Sequence, residues 1–150
     1  MTKHWKTLVL DLDETLIHTF FEQRANADIV LDIEIEEWIY TIYVLLRPGV
    51  VKFLQRMSKI YEVVLFTASL WTYAKPIMKA LEREIGTKFK KLYRVHCSYI
   101  NKIYIKDLSK LGRPLKDVVI VDNNPDCYTF DNSNAIPICS WFEDHEDKEL

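Results

Sequence analysis

The stretch Leu8-Val9-Leu10-Asp11-Leu12-Asp13-Glu14-Thr15 runs from three consecutive apolar residues straight into a cluster of carboxylates. A short continuous apolar run fits a strand buried on both faces of a parallel sheet. Two more such runs follow, Val63-Val64-Leu65-Phe66 and Val118-Val119-Ile120-Val121, and they end in Thr67 and Asp122. Helical patterns fall between them. Pro48-Gly49 opens one, with Val50, Phe53, Leu54, Met57 and Ile60 at helical spacing. Another carries Ile77, Met78, Leu81 and Ile85, with Pro76 placed to start it or kink it. Residues 29–35 alternate apolar and acidic side chains, and residues 38–46 are rich in β-branched and aromatic ones. These two read as a β-hairpin inserted after the first strand. The expected fold class is therefore α/β: an open parallel sheet with flanking helices and right-handed crossovers, plus that hairpin. No linker divides the chain, so residues 1–150 are read as one domain.

The carboxylates carry the chemistry. Residues two apart on a near-extended chain point to the same side, so Asp11 and Asp13 can share one site. In an open α/β sheet ligands bind beyond the carboxyl ends of the strands, which is where these two stand. Close carboxylates repel each other and favour a cation between them. Oxygen-only ligands at a phosphate site point to Mg²⁺. Alone, the pair could be an acidic turn that merely ends a strand. Here Asp122-Asn123 adds a second oxygen pair at the same sheet edge, and Thr67 ends a third strand there, with Ser69 able to cap the following helix.

Composition narrows the classes. A hydrophobic fraction of 49% and an aromatic fraction of 13% supply a sizeable core, and the net charge of -2 argues against a general nucleic-acid binder. Cys97, Cys127 and Cys139 suggest neither a disulfide framework nor zinc spacing and are read as reduced, mostly buried thiols. Residues 1–7 lack a signal-peptide core, and no apolar run approaches the roughly 18 residues of a membrane span. An intracellular location, nuclear or cytoplasmic, fits these features. His4, His18, His96 and His145 are scattered, with His18 read as a local hydrogen-bond partner. Residues 143–149 read as a solvated helix start.

Asp11-Leu12-Asp13-Glu14-Thr15 resembles the D-x-D-x-T signature of the haloacid dehalogenase superfamily. Leu8-Val9-Leu10-Asp11-Leu12-Asp13-Glu14-Thr15-Leu16-Ile17-His18 resembles more closely the small phosphatases of the RNA polymerase II carboxy-terminal domain and their Dullard-type relatives. So do Val64-Leu65-Phe66-Thr67-Ala68-Ser69, Tyr104-Ile105-Lys106-Asp107-Leu108-Ser109, Val121-Asp122-Asn123 and Ser140-Trp141-Phe142. The resemblance runs in order over nearly the whole chain. That family usually continues with a further helix after the segment matching residues 141–150, and this sequence stops where the helix would begin.

The resemblance implies a Mg²⁺-dependent protein phosphatase acting on phosphoserine or phosphothreonine next to proline. Asp11 would be the nucleophile and Asp13 the general acid and base. Asp11, the Asp13 main-chain carbonyl and Asn123 would hold the metal, with Asp122 acting directly or through water. Thr67, Lys106 and Arg94 would bind phosphate. Lys116 competes with Lys106 for that role, but it lies six residues before Asp122, at the far end of the strand and roughly 20 Å off at about 3.3 Å per residue. Phe21, Ile33, Ile35, Ile42 and Leu70 match the positions of an apolar pocket for proline, although the same residues would serve as core beneath the hairpin.

Three other functions use the same residues. A small-molecule phosphatase usually carries a larger cap than the segment between Pro76 and Lys106 allows. A non-catalytic phosphopeptide-binding or import-receptor homologue would lack one of the two aspartates, and both are present. A phosphorelay receiver is suggested by Val119-Ile120-Val121-Asp122, but Asp13, Thr67 and Lys106 argue against it.

Overall fold

The computed structural model describes residues 5–150, so His4 and the start of the polar N-terminal stretch lie outside the described residues. In chain order the strands are β1 (Thr7–Leu10), β2 (Ile17–Phe20), β3 (Ile29–Ile35), β4 (Trp38–Leu46), β5 (Glu62–Phe66), β6 (Lys90–Leu92), β7 (Ser98–Ile100), β8 (Ile103–Ile105), β9 (Val118–Asp122) and β10 (Ala135–Pro137). The helices are α1 (Val50–Met57) and α2 (Trp71–Ile85), and several single-turn 3₁₀ segments follow α2.

The three apolar runs form the centre of a parallel sheet ordered β10-β9-β1-β5-β6. Leu10 pairs with Leu65 on one side and Val121 on the other, so Asp11, Phe66 and Asp122 reach the same carboxyl edge together. Both faces of the sheet are buried, as continuous apolar strands require. Leu8 and Leu10 pack with Leu54 of α1 and Ile77, Met78 and Leu81 of α2. Val9, Val64, Phe66 and Ile120 pack on the other side with Leu108 and Tyr128.

The β3–β4 hairpin forms in the expected place. Its turn residues Glu36 and Glu37 have φ of 50° and 69°, the sign a two-residue hairpin with right-handed strand twist needs. The insert is larger than a hairpin, however, because β2 joins it in a three-stranded antiparallel sheet ordered β2-β4-β3. Strands β2, β6 and β10 have only three or four residues each, too few to show a period.

Other expectations need correction. The first helix stops at Met57, and Ile60 lies beyond it, exposed. The second begins at Trp71, so Pro76, read as starting or kinking it, takes the interior position. Burial of Ala74, Ile77, Met78 and Leu81 holds that helix together across the missing N–H. Between β6 and β9, where the sequence pattern marks no element, the chain forms a β7–β8 hairpin and 3₁₀ turns. Residues 143–149 form no helix. All three cysteines are free, but only Cys127 is buried, while Cys97 is partly exposed and Cys139 exposed. No helix among the described residues is long and apolar enough to cross a membrane.

Candidate active site

The loop after β1 is built around two buried leucines. Leu12 and Leu16 are sealed in the core. The Leu12 carbonyl accepts from Leu16 N at 2.9 Å, and Glu14 N donates to the Ile17 carbonyl at 2.8 Å. Glu14 takes a positive φ of 58° to close this tight turn. Asp11 N donates to the Val121 carbonyl at 3.1 Å, which keeps the first aspartate in register with the strand beside it.

Lys106 joins the two strand ends. It leaves β8 with its side chain fully buried, and its Nζ donates to Asp11 Oδ1 at 2.7 Å and to Asp122 Oδ2 at 2.6 Å. Burial alone would push the ammonium down, but Asp11 and Asp122 outweigh it and hold Lys106 above its ordinary range. Asp122 is pushed up, first by burial and then by repulsion from Asp11, with Lys106 opposing. A single lysine lies between the two carboxylates and cannot neutralise both. The Thr15 hydroxyl lies 2.9 Å from Asp11 Oδ2, to which it donates, and 3.2 Å from Asn123 Oδ1. It therefore brings Asn123 to the same cluster.

Asp13 has different neighbours. Tyr73 of α2 donates its hydroxyl to Oδ1 at 2.6 Å, and Ser69 donates to Oδ2 at 3.0 Å. Burial pushes the Asp13 carboxyl up to about 6; the Tyr73 bond opposes this, and repulsion from Asp11 adds to it. Ser69 is thus not a helix cap. The residue preceding α2 is Leu70, and no side chain caps that end. Ser69 N instead donates to Thr67 Oγ1 at 3.0 Å. That bond uses an acceptor of the buried Thr67 and leaves its hydroxyl hydrogen available to a ligand.

Arg94 is fixed by its Nε bond to the Ala68 carbonyl at 2.7 Å, with its guanidinium 4.7 Å from the Tyr104 ring centroid. Lys116 lies in the turn before β9, at the opposite end of that strand from Asp122. His18 makes the expected local contact, Nδ1 to Glu14 Oε2 at 3.1 Å. The apolar set divides. Phe21 and Leu70 are exposed and Ile35 is partly buried, but Ile33 and Ile42 belong to the core at 2% and 0% exposure. As placed, those two cannot line a surface pocket. They face inward because the hairpin packs on α2.

Sequence reasoning missed Tyr73, Arg47 and Asp147. Tyr73 left a faint signal, standing four residues before Ile77 on the core-facing side of α2. Arg47 and Asp147 left none, being 100 residues apart.

A divalent cation suits the residues present. Asp11, Asp13 and Asp122 stand together with only Lys106 inserted among them, so the cluster retains excess negative charge. No cage of three or more His, Cys, Asp or Glu side chains exists among the described residues. Two carboxylates beside an amide oxygen match instead the way Mg²⁺ is held, with few protein ligands and the rest left to water and phosphate.

The domain is an open α/β sheet with paired aspartates at its carboxyl edge. In fold it is similar to the fission yeast RNA polymerase II CTD phosphatase Fcp1 bound to beryllium fluoride, with a TM-score of 0.75 at 22% identity, covering 91% of this chain and 42% of that one. At that identity the likeness bears on the fold alone. The model of the NLI interacting factor-like phosphatase family matches residues 6–150, and the chain belongs to that family. It is 49% identical over 145 residues to the human CTD small phosphatase-like protein, covering 97% of this chain and 52% of the relative. It is 46% identical over 149 residues to Phosphatase PSR1 of Saccharomyces cerevisiae, covering 99% of this chain and 35% of the relative. The chain thus spans about a third to a half of the length of these relatives.

Proposed function

We propose that this chain is the catalytic domain of a Mg²⁺-dependent phosphatase that hydrolyses phosphoserine and phosphothreonine on proteins, at proline-adjacent sites such as those of the RNA polymerase II carboxy-terminal domain. The observation that carries this reading is the contrast between two aspartates two residues apart. Asp11 accepts a 2.7 Å bond from the Lys106 ammonium and stands at the strand end with an oxygen to attack phosphorus. Asp13 is bonded only to hydroxyls and is pushed up to about 6, so it can carry a proton near neutrality.

In the first step an Asp11 oxygen attacks phosphorus, and the bond from phosphorus to the serine or threonine oxygen breaks. Asp13 gives its proton to that leaving oxygen. In the second, Asp13 takes a proton from water, the water oxygen attacks phosphorus, and the aspartyl-phosphate bond breaks to release phosphate and restore Asp11. Thr67, Lys106 and Arg94 supply donors for the phosphoryl oxygens. Asp11, Asp122, Asn123 and the Asp13 carbonyl are the residues that would hold Mg²⁺, which neutralises charge on the transferring group when bound.

The test is phosphate release from a panel of phosphopeptides with and without proline beside the phosphosite, alongside a small aryl phosphate, each with Mg²⁺ and with chelator. Release from phosphopeptides that needs Mg²⁺, prefers proline and vanishes in folded Asp11→Asn is expected. Turnover of small phosphates alone would redirect the reading to a small-molecule phosphatase. Near wild-type release by folded Asp11→Asn would remove Asp11 as the nucleophile.

A further inference from the structure

Residues 141–147 fasten the loop that carries Asp11 and Asp13 from outside the sheet. Trp141 is buried; its backbone N–H donates to the Glu14 carbonyl at 2.8 Å, and its Nε1 donates to the Asp144 carbonyl at 2.7 Å. Phe142 meets the His18 ring edge-on, with centroids 5.1 Å apart. Glu143 lies 3.4 Å from Arg24 at the surface.

The inner link is Arg47, which follows β4 directly and has a fully buried side chain. Its Nε and Nη2 donate to the two oxygens of Asp147 at 2.7 and 2.8 Å. Its Nη1 donates to the Thr15 carbonyl at 3.1 Å, and its backbone N–H donates to the Leu16 carbonyl at 3.0 Å. Thr15 in turn donates its hydroxyl to Asp11 Oδ2 at 2.9 Å. A bidentate carboxylate fixes the plane of a guanidinium, and a fixed plane fixes where its third nitrogen points.

We propose that Arg47 and Asp147 are positioning residues for the nucleophile: Asp147 sets the Arg47 guanidinium, Arg47 holds the Thr15 carbonyl, and Thr15 orients the Asp11 carboxylate. This rests on the reading of Asp11 as nucleophile. The line Asp147–Arg47–Thr15–Asp11 is continuous in hydrogen bonds and ends on the carboxylate itself. An ion pair that only glued residues 141–150 to the domain would not need the bond to the motif loop. The consequence is that a segment touching no substrate governs the chemical step and leaves substrate binding alone.

The experiment uses the whole chain and the variants Asp147→Asn, Arg47→Lys and Asp147→Glu. Each is assayed on an aryl phosphate at a temperature where circular dichroism shows it folded, and hydrogen exchange is followed at residues 12–17. Asp147→Asn removes the charge at constant shape. Arg47→Lys keeps the charge but offers one ammonium to acceptors that need a fork. In both, kcat should fall about tenfold to a hundredfold, because a misplacement of about 1 Å costs about 10²-fold. KM should stay within about twofold, since the interaction matters to the transition state. Exchange at residues 12–17 should quicken, and Asp147→Glu should recover part of kcat. Arg24→Gln, which cuts the exposed contact with Glu143 and the stacking on Phe20 but leaves Arg47 and Asp147 in place, should change neither. Wild-type kcat in a folded Asp147→Asn or Arg47→Lys chain overturns the proposal, whatever exchange shows. So does a kcat loss without faster exchange at residues 12–17, because the effect then travels by another route. Exchange is read without substrate, so an inactive wild-type chain would remove the nucleophile reading separately and leave the fastening of the loop to be decided by exchange.

Discussion

The two ends of the parallel sheet each carry a three-membered ion cluster, and the clusters are built in opposite senses. At the carboxyl end one cation, Lys106, its side chain fully buried, serves two carboxylates, Asp11 and Asp122. At the other end one carboxylate, Glu62 at the start of β5, serves two cations. Arg113 reaches it at 2.9 and 3.0 Å, Lys90 also pairs with it, and Thr7 donates at 3.1 Å. The lysine bond, opposed by burial and helped by Arg113 and Thr7, holds the Glu62 carboxyl below its ordinary range. Yet the Lys90 and Arg113 side chains are 64% and 40% exposed, and exposed pairs contribute little in water. A count of ion pairs would rank Glu62 at least equal to Lys106. Burial reverses that order, because removing one partner of a buried pair strands an uncompensated charge.

The largest expected effect follows from that. Lys106→Met should abolish turnover and cost about 3–5 kcal/mol of stability, read from urea unfolding. A loss below about 1 kcal/mol would place Lys106 in the same class as the Glu62 cluster and erase the contrast. Next comes Asp13→Asn, which stands at the same end of the sheet but is held by hydroxyls instead of Lys106. Turnover of a phosphoserine peptide should fall about 10²–10⁴-fold, and less for an aryl phosphate whose leaving group needs little protonation. Equal losses on both, with phosphoenzyme formation limiting, would remove the leaving-group role.

Asp147 lies between the two clusters in exposure, at 11% for its side chain against 0% for Arg47. The Arg47 hydrogen bond, against opposing burial, holds its carboxyl below the ordinary range. A carboxyl depressed in the folded state contributes stability above its unfolded value of about 3.9 and loses it as pH falls through the lower folded value. The stability gap between wild type and Asp147→Asn, measured by urea unfolding across pH, should therefore be widest near neutrality and should narrow in acid. A gap that widens in acid would reverse the sign assigned to this pair. The smallest effect is expected for Arg113→Ala, about 0–1 kcal/mol and shrinking with added salt. A loss matching that of Lys106→Met would show that the exposed end is more tightly coupled than its solvent contact implies.

Much of the site was legible because its residues sit at the ends of recognisable strands. The spacing of Asp11 and Asp13, the pair Asp122-Asn123, and the preference for Lys106 over Lys116 all follow from where a strand stops and which way it runs. Ser69 was misread because a serine before a helix is as good a cap as a donor to a carboxylate, and only the fold brings Asp13 within 3.0 Å of it. Ile33 and Ile42 stand open between pocket and core in the sequence, because strand alternation tells which residues share a face and not what covers that face.

The sequence by itself determined the parallel core, the hairpin insert and the chemical identity of the strand-end residues. Continuous apolar runs, alternation and turn residues are local, and local periodicity encodes them. Tertiary structure decided which oxygens meet which donors. It placed Tyr73 on Asp13, turned residues 143–149 from an expected helix into a fastening, and closed Arg47 onto Asp147 across 100 residues. Such pairs have no period, since the chain between them can take many paths. They form only after the sheet, α2 and the loop after β1 have fixed where each side chain stands.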